Sequence, residues 1–241
     1  MAGAKESNYY LTIRAKMMRE FRAMYKGARK VLARYFSERE IDRLEAESKK
    51  EYQELFPQLP YIGGKKNSET INLIMGAIVL AIIRPLEKES LTKRQIGRVI
   101  HHTFEGYFSA KPRIIQRALG RLVSSKLALK RLKAQIETSG QRGYEDDFLM
   151  EYVEPRSGEF DFGYDYTQCA LQKLFARYGA EEYLPYVCLG DYALFRSLGV
   201  GFSRTRTIAH GAPKCDFRFK RKGRTARGWP PEGLEEWSGK N

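Results

Sequence analysis

The chain has 241 residues, 42% hydrophobic and 30% charged, a composition that excludes a wholly disordered protein and is long enough for a buried core. Its formal net charge is +14, yet residues 1–140 hold 28 basic and 14 acidic side chains while residues 141–241 hold 15 of each. The whole basic excess therefore belongs to the first part of the chain, which argues against a nucleic-acid-binding surface running its full length.

The opening segment, MAGAKESNYYLTIRAKMMREF, lacks a continuous apolar stretch and a small-residue cleavage site, so no secretory signal is expected. From Tyr9 to Tyr35, Ile13, Met17, Phe21, Met24, Ala28 and Val31 recur at spacings of three and four, which predicts an amphipathic helix with Arg and Lys on its other face. Ser37 and Glu40 form a capping box for a second helix reaching Phe56, before Pro57 and Pro60. Asn67-Ser68 opens a third, apolar almost all round, which Pro85 should stop; its run Ile71–Ile83 is shorter than the ~20 residues of a membrane span and reads as a buried central helix. Thr92 and Gln95 cap a fourth helix to about Phe108, and Pro112 opens a last one to about Thr138. Residues 1–140 thus read as a basic helical lobe. Within it, the adjacent His101 and His102 point about 100° apart on a helix and read as capped or core histidines. Lys126–Lys133 (KLALKRLK) has the pattern of a basic amphipathic helix or a solvated helix face.

After Gly140 the period changes. Phe148–Val153 reads as a strand, and Glu159–Tyr166 alternates acidic and aromatic residues with a period of two. Helical stretches follow at about 167–178 and 181–198, then strands at Phe202–His210 and Cys215–Arg221. The order ββααββ predicts an α+β domain over 141–222, an antiparallel sheet with helices on one face, and residues 223–241 read as an irregular, mobile tail.

The densest chemistry lies around Thr205–Phe219, where one turn carries His210, Cys215, Asp216, hydroxyls and cations. A Cys becomes strongly nucleophilic once its thiolate is favoured, and Lys214, Arg206 and Arg218 are placed to lower the thiol pKa or hold an anion. Cys215 also reads as a small buried strand residue, and His210 as a turn residue. Cys188-Leu189-Gly190-Asp191 is a second cluster, with Asp191 a base or a helix cap. Cys169 stands at the start of a helix, where a thiolate or a buried thiol are both natural. Three cysteines with no C-x-x-C spacing read as free thiols in a reducing, cytoplasmic compartment. Thiols with Asp191 or His210 are a donor set for zinc or iron, but separations of 19 and 27 residues follow no finger pattern, so neither metal nor cofactor is expected.

In order along the chain, Cys169, Cys188-Leu189-Gly190-Asp191, Arg204-Thr205-Arg206-Thr207-Ile208-Ala209-His210-Gly211 and Cys215-Asp216-Phe217-Arg218 resemble the L-2-amino-thiazoline-4-carboxylic acid hydrolase family. That family's pattern is a Cys, a later Cys with Asp three residues on, an R-T-x-T-x-x-x-G strand and turn, then C-D-F. The likeness covers about residues 60–222, and in the helical lobe it is one of general character only. It implies hydrolysis of a cyclic amidine: water adds to the C=N carbon of a 2-aminothiazoline and the ring opens to a carbamoyl-cysteine. On that chemistry the Cys215 thiolate, or water activated by Asp191 or His210, attacks the amidine carbon, and Asp216 or Asp191 pairs with the amidinium. Arg206 or Arg218 would hold a carboxylate, Thr207 and a backbone N–H near Gly211 would steady the tetrahedral intermediate, and Cys169 and Cys188 would line the substrate site.

Two other readings stay open: a ring-forming or lyase enzyme acting on a carrier-bound or peptide substrate, and a basic module without catalysis that binds nucleic acid or anionic lipid. The expected partners are an anionic small-molecule substrate, with an acidic carrier protein and a homo-oligomer left open, and neither nucleic acid nor membrane.

Overall fold

Apolar side chains spaced three and four apart wind the first hundred residues into helices whose buried faces are those side chains. The computed structural model describes residues 9–238; the first eight residues of the segment screened for a signal and the last three of the tail lie outside it. α1 (Tyr9–Thr12) and α2 (Arg14–Leu32) replace the single helix expected to Tyr35, with a break at Ile13 and a turn after Leu32. α3 (Glu38–Leu55) starts at the expected capping box, Glu40 accepting the Ser37 backbone N–H at 2.7 Å. α4 (Thr70–Leu86) buries every residue from Gly76 to Ile83. It runs through Pro85 rather than stopping before it: the proline forfeits its own hydrogen bond, and the Glu87 N–H still closes the last turn onto the Ile83 carbonyl (2.9 Å). In α5 (Lys93–Ser109) the second capping box closes as read: the Thr92 N–H donates to Gln95 Oε1 (2.7 Å) and the Gln95 N–H to Thr92 Oγ1 (3.3 Å).

The chain divides into two compact units, Met1–Tyr107 with Lys173–Val187, and Phe108–Gln172 with Cys188–Asn241. In the first, Phe21 stacks between Tyr25 and Tyr52, each 5.6 Å away by ring centroid. α2 and α5 cross at a pair of glycines so closely that a Cβ on Gly27 would meet the Thr103 carbonyl oxygen at 2.6 Å, and one on Gly106 would meet Gly27 Cα at 2.7 Å.

The second unit begins with α6 (Arg113–Val123) and α7 (Lys126–Glu137) in place of one helix. The Ser124 hydroxyl donates back to the Gly120 carbonyl (2.6 Å), and Ser125 Oγ accepts the Ala128 N–H (3.3 Å) as cap of the next helix. Four strands follow, β1 (Leu149–Val153), β2 (Phe162–Gln168), β3 (Gly201–Ser203) and β4 (Cys215–Lys220), in the antiparallel order β1-β2-β4-β3. Between β2 and β3 run α8 (Ala170–Arg177), α9 (Leu184–Cys188) and α10 (Gly190–Leu198). The architecture is α+β, as expected, with two local corrections. β2 starts three residues late, because Glu159–Asp161 belong to the link, where only Arg156 and Phe160 bridge. β3 is three residues long, because the Asp216 carboxylate captures the Thr205 and Arg206 N–H groups that a longer strand would give to its neighbour.

Strand alternation sorts the sheet into two faces. One is aromatic: Phe162 stacks on Phe219 (4.6 Å), Tyr164 on Phe217 (5.2 Å), and Phe202 lies 5.1 Å from Phe217. α10 covers it, with Phe195 4.8 Å from Phe219 and Tyr192 5.0 Å from Phe202. The other face carries Asp165, held by Lys214 (2.5 Å) and Arg218 (2.8 Å).

The glycine crossing makes a direct prediction. Gly27→Ala gains up to ~1 kcal/mol of helix propensity but forces α2 and α5 apart, and overpacking of this kind costs ~1–3 kcal/mol. Urea denaturation should find the variant less stable than the parent; an increase in stability would show that the crossing is loose.

Candidate active site

Antiparallel pairing sets Tyr166 of β2 opposite Cys215 of β4, so β2 ends where β4 begins. Cys169 follows at that end, and β3, running against β4, sends residues 204–214 across it. The junction of α9 and α10 supplies Cys188 and Asp191 to the same place.

What joins these segments is Arg204. Its side chain is 1% exposed and lies among the rings of Phe217, Phe202 and Tyr192, 5.0 to 5.7 Å from their centroids. Nη1 donates to Asp191 Oδ2 (2.8 Å), Nη2 to the Cys188 carbonyl (3.1 Å), and Nε and Nη2 grip both oxygens of Glu236 at 2.5 and 2.8 Å. A guanidinium suits this position because its planar fork satisfies two carboxylates and a carbonyl at once. The group holds one cation against two carboxylates, and Asp191 keeps a third of its side chain exposed.

The three thiols lie within electrostatic reach of this group and of one another. Burial pushes the Cys215 thiol up to about 11, and nearby Asp191 and Glu236 add to the rise, while the Ile208 N–H, donating to Sγ at 3.1 Å, and Arg204 oppose it. Burial raises Cys169 to about 12, with Cys215 and Asp191 adding to the rise and the N–H groups of Gln172 and Leu171 working against it. Cys188 is raised well above the ordinary thiol value, again mainly by burial, although Arg204 acts to lower it. Cys169 and Cys188 are nevertheless partly exposed, Cys215 is buried, and all three are free thiols. At neutral pH the site therefore holds neutral thiols beside the carboxylates of Asp191 and Glu236.

Cys169, Cys188, Cys215 and Asp191 are thus brought together. The remaining candidates are placed elsewhere or serve the loop. Asp216 spends its carboxylate on the chain: Oδ1 accepts the N–H groups of Thr205 and Arg206 (2.9 Å each), and Oδ2 accepts the Thr205 hydroxyl (2.6 Å). Thr207 is fully buried, and its hydroxyl accepts the His210 N–H at 3.2 Å, shaping the turn Ile208–His210 that aims the Ile208 N–H at Cys215. Gly211 ends that turn at φ 81°, a conformation natural to glycine. His210 Nδ1 lies 3.2 Å from the Thr207 hydroxyl, and its ring meets the Trp237 indole edge-on at 4.8 Å. Arg206 is more than half exposed, 3.7 Å from Asp216. Arg218 and Lys214 pair with Asp165 on the other face of the sheet, so they do not lower the Cys215 pKa. Among the described residues, the donors within ligand distance of one another are His101, His102 and Glu105 of the first unit, not the thiols.

The sequence motif contains Arg204 but assigns it no role, and it does not extend to Glu236. Nothing local marks Glu236: it sits 32 residues beyond Arg204, in a segment of turns that reads as a tail, yet it is 1% exposed.

A family model described as L-2-amino-thiazoline-4-carboxylic acid hydrolase matches residues 71–219, and the chain belongs to that family of hydrolases. No curated protein and no solved structure matches it. The matched span contains Cys169, Cys188, Asp191, Arg204 and Cys215, and Glu236 lies beyond it.

Glu236→Gln keeps the shape but removes the fully buried counter-ion of Arg204, leaving the guanidinium with the partly exposed Asp191 alone. Removing one partner of a buried ion pair costs ~3–5 kcal/mol. Equilibrium unfolding should show a loss on that order; a loss under about 1 kcal/mol would mean that Asp191 alone carries the guanidinium.

Proposed function

We propose that this protein opens the ring of a cyclic amidine of the 2-aminothiazoline type with water, Cys215 acting as nucleophile and Asp191 as the group that holds the amidinium and moves protons. The observation that carries this reading is the gathering of three neutral thiols around Arg204 and the carboxylates of Asp191 and Glu236. Such a site attracts a cation, and an amidinium is a planar cation whose N–H groups match a carboxylate edge.

The binding step also prepares the nucleophile. A thiol pushed up to about 11 by burial is a poor nucleophile at neutral pH. An amidinium seated against Asp191 places a positive charge beside Cys215 and favours its thiolate. The thiolate adds to the amidine carbon, the adduct resting against the Ile208 N–H and Arg204. Collapse breaks the carbon–ring-sulfur bond; the ring sulfur leaves as a thiolate and takes up a proton, and an isothiourea remains on Cys215. Water, with Asp191 accepting its proton, then adds to the same carbon. Expulsion of the Cys215 thiolate, which takes the proton back from Asp191, completes a carbamoyl product and returns the enzyme to its first state.

Asp191 is preferred to Asp216 as the amidinium partner because Asp216 is committed to the loop at both oxygens while Asp191 retains exposed surface. A substrate carboxylate falls to Arg206, whose guanidinium is exposed beside the same loop. Three free thiols suit a reducing compartment such as the cytoplasm. No helix among the described residues is long and apolar enough to cross a membrane.

Cys215→Ser, with an unchanged unfolding curve, should lose on the order of 10³-fold or more in kcat on 2-aminothiazoline-4-carboxylate, since an unactivated hydroxyl replaces the sulfur. In ¹⁸O-water the wild type should place one solvent oxygen in the carbamoyl group. Full turnover by the serine variant would remove the nucleophile, and product without solvent oxygen would remove hydrolysis.

A further inference from the structure

Residues 106–136 contain neither Asp nor Glu. Within them α6 turns only a narrow edge, Gln116 and Gly120, inward. Its polar edge is buried: Gln116 donates through Nε2 to the carbonyls of Phe108 (3.0 Å) and Lys111 (2.6 Å), and Gly120 lies so close to Leu198 that a Cβ would come within 2.0 Å of its carbonyl oxygen. Its apolar side faces outward, with Ile114 80%, Leu122 64% and Ile115 47% exposed, and Leu127 at the start of α7 continues the stripe at 60%. Every other large exposed hydrophobic among the described residues lies in this same stretch except Leu11.

Arg113, Arg117 and Arg121, four apart, form a basic row along one flank of that stripe. Lys126, Lys130 and Arg131 extend the charge over α7, and none of Arg113, Arg121, Lys126, Lys130 or Arg131 forms an ion pair among the described residues. An apolar stripe bordered by unneutralised cations marks a surface that something anionic and apolar covers.

A second copy of the chain fits poorly. Two such helices pressed together antiparallel about a two-fold axis bring like flanks side by side, so arginine rows would face each other. A lipid surface fits better. The aliphatic side chains stand out singly from convex helices, which demands no complementary groove, and the cations lie where phosphates would be. We propose that α6 and the start of α7 rest on an anionic phospholipid surface, with Ile114, Ile115, Leu122 and Leu127 entering the headgroup boundary and the flanking Arg and Lys meeting phosphates. This departs from the sequence expectation of no membrane partner and is independent of the proposed reaction. Residues 109–143 contain no aromatic side chain, so insertion is shallow and attraction rests heavily on charge.

The test is co-sedimentation of the full chain with vesicles of phosphatidylglycerol mixed with phosphatidylcholine, and with phosphatidylcholine alone. Binding should appear only with the anionic vesicles and weaken steeply as salt rises. Leu122→Ser and, separately, Arg113→Glu with Arg121→Glu should each weaken it about tenfold or more with unchanged circular dichroism and unchanged hydrolysis in solution. Equal binding to neutral vesicles, no binding to either, or binding indifferent to both sets of substitutions would overturn the proposal. So would Leu122-dependent dimerisation, or binding of an acidic protein or nucleic acid at this face without vesicle binding.

Discussion

The second unit depends on a single buried guanidinium. Arg204 ties together three segments far apart in sequence: the junction of α9 and α10 through Asp191 and the Cys188 carbonyl, the exit of β3 that carries Arg204 itself, and the last turns through Glu236. Taking a cation out of water costs several kcal/mol, recovered here by two carboxylates, a carbonyl and three aromatic faces. Such an arrangement contributes less to net stability than to geometry. It fixes where the residues around it must stand, and those residues are the thiols and Asp191.

The same charge group sets the chemistry. A sequence with many cations near Cys215 suggests a thiol poised as thiolate. The structure assigns those cations other work, with Lys214 and Arg218 neutralising Asp165, and leaves Cys215 buried, which is what chiefly keeps its proton on, with Asp191 and Glu236 adding to the effect. On the proposed reaction, such a site stays inert until the substrate brings its own positive charge, so that selectivity and activation come from one contact.

Much of this was legible in the sequence, and the exceptions share a cause. The capping boxes at Ser37 and Thr92 are local hydrogen-bond arrangements, so they read directly. The α+β class follows from a change of hydrophobic period near Gly140, and the thiols and Asp191 from the residues that carry the family resemblance. What could not be read depends on partners distant in sequence. β3 stops early because Asp216, eleven residues ahead of Thr205, claims its backbone. Ser124 is the local exception: its hydroxyl turns back onto the Gly120 carbonyl four residues earlier and ends a helix that periodicity joins. Glu236 has no local signature, since its role exists only where Arg204 meets it. Exposure of the apolar side of α6 was also hidden, because an amphipathic pattern does not say which side faces in.

The central claim is that an amidinium bound beside Asp191 converts a resting thiol into a nucleophile. The most direct measurement is the pH dependence of Cys215 alkylation by iodoacetamide, followed by peptide mass spectrometry, with and without saturating 2-aminoimidazolinium, a cyclic cation that lacks the ring sulfur. The free protein should show an alkylation midpoint near 11. The bound cation should lower that midpoint by about one unit or more, and should fail to do so in Asp191→Asn. A midpoint that does not move when the cation binds, or that moves equally without Asp191, would contradict the account.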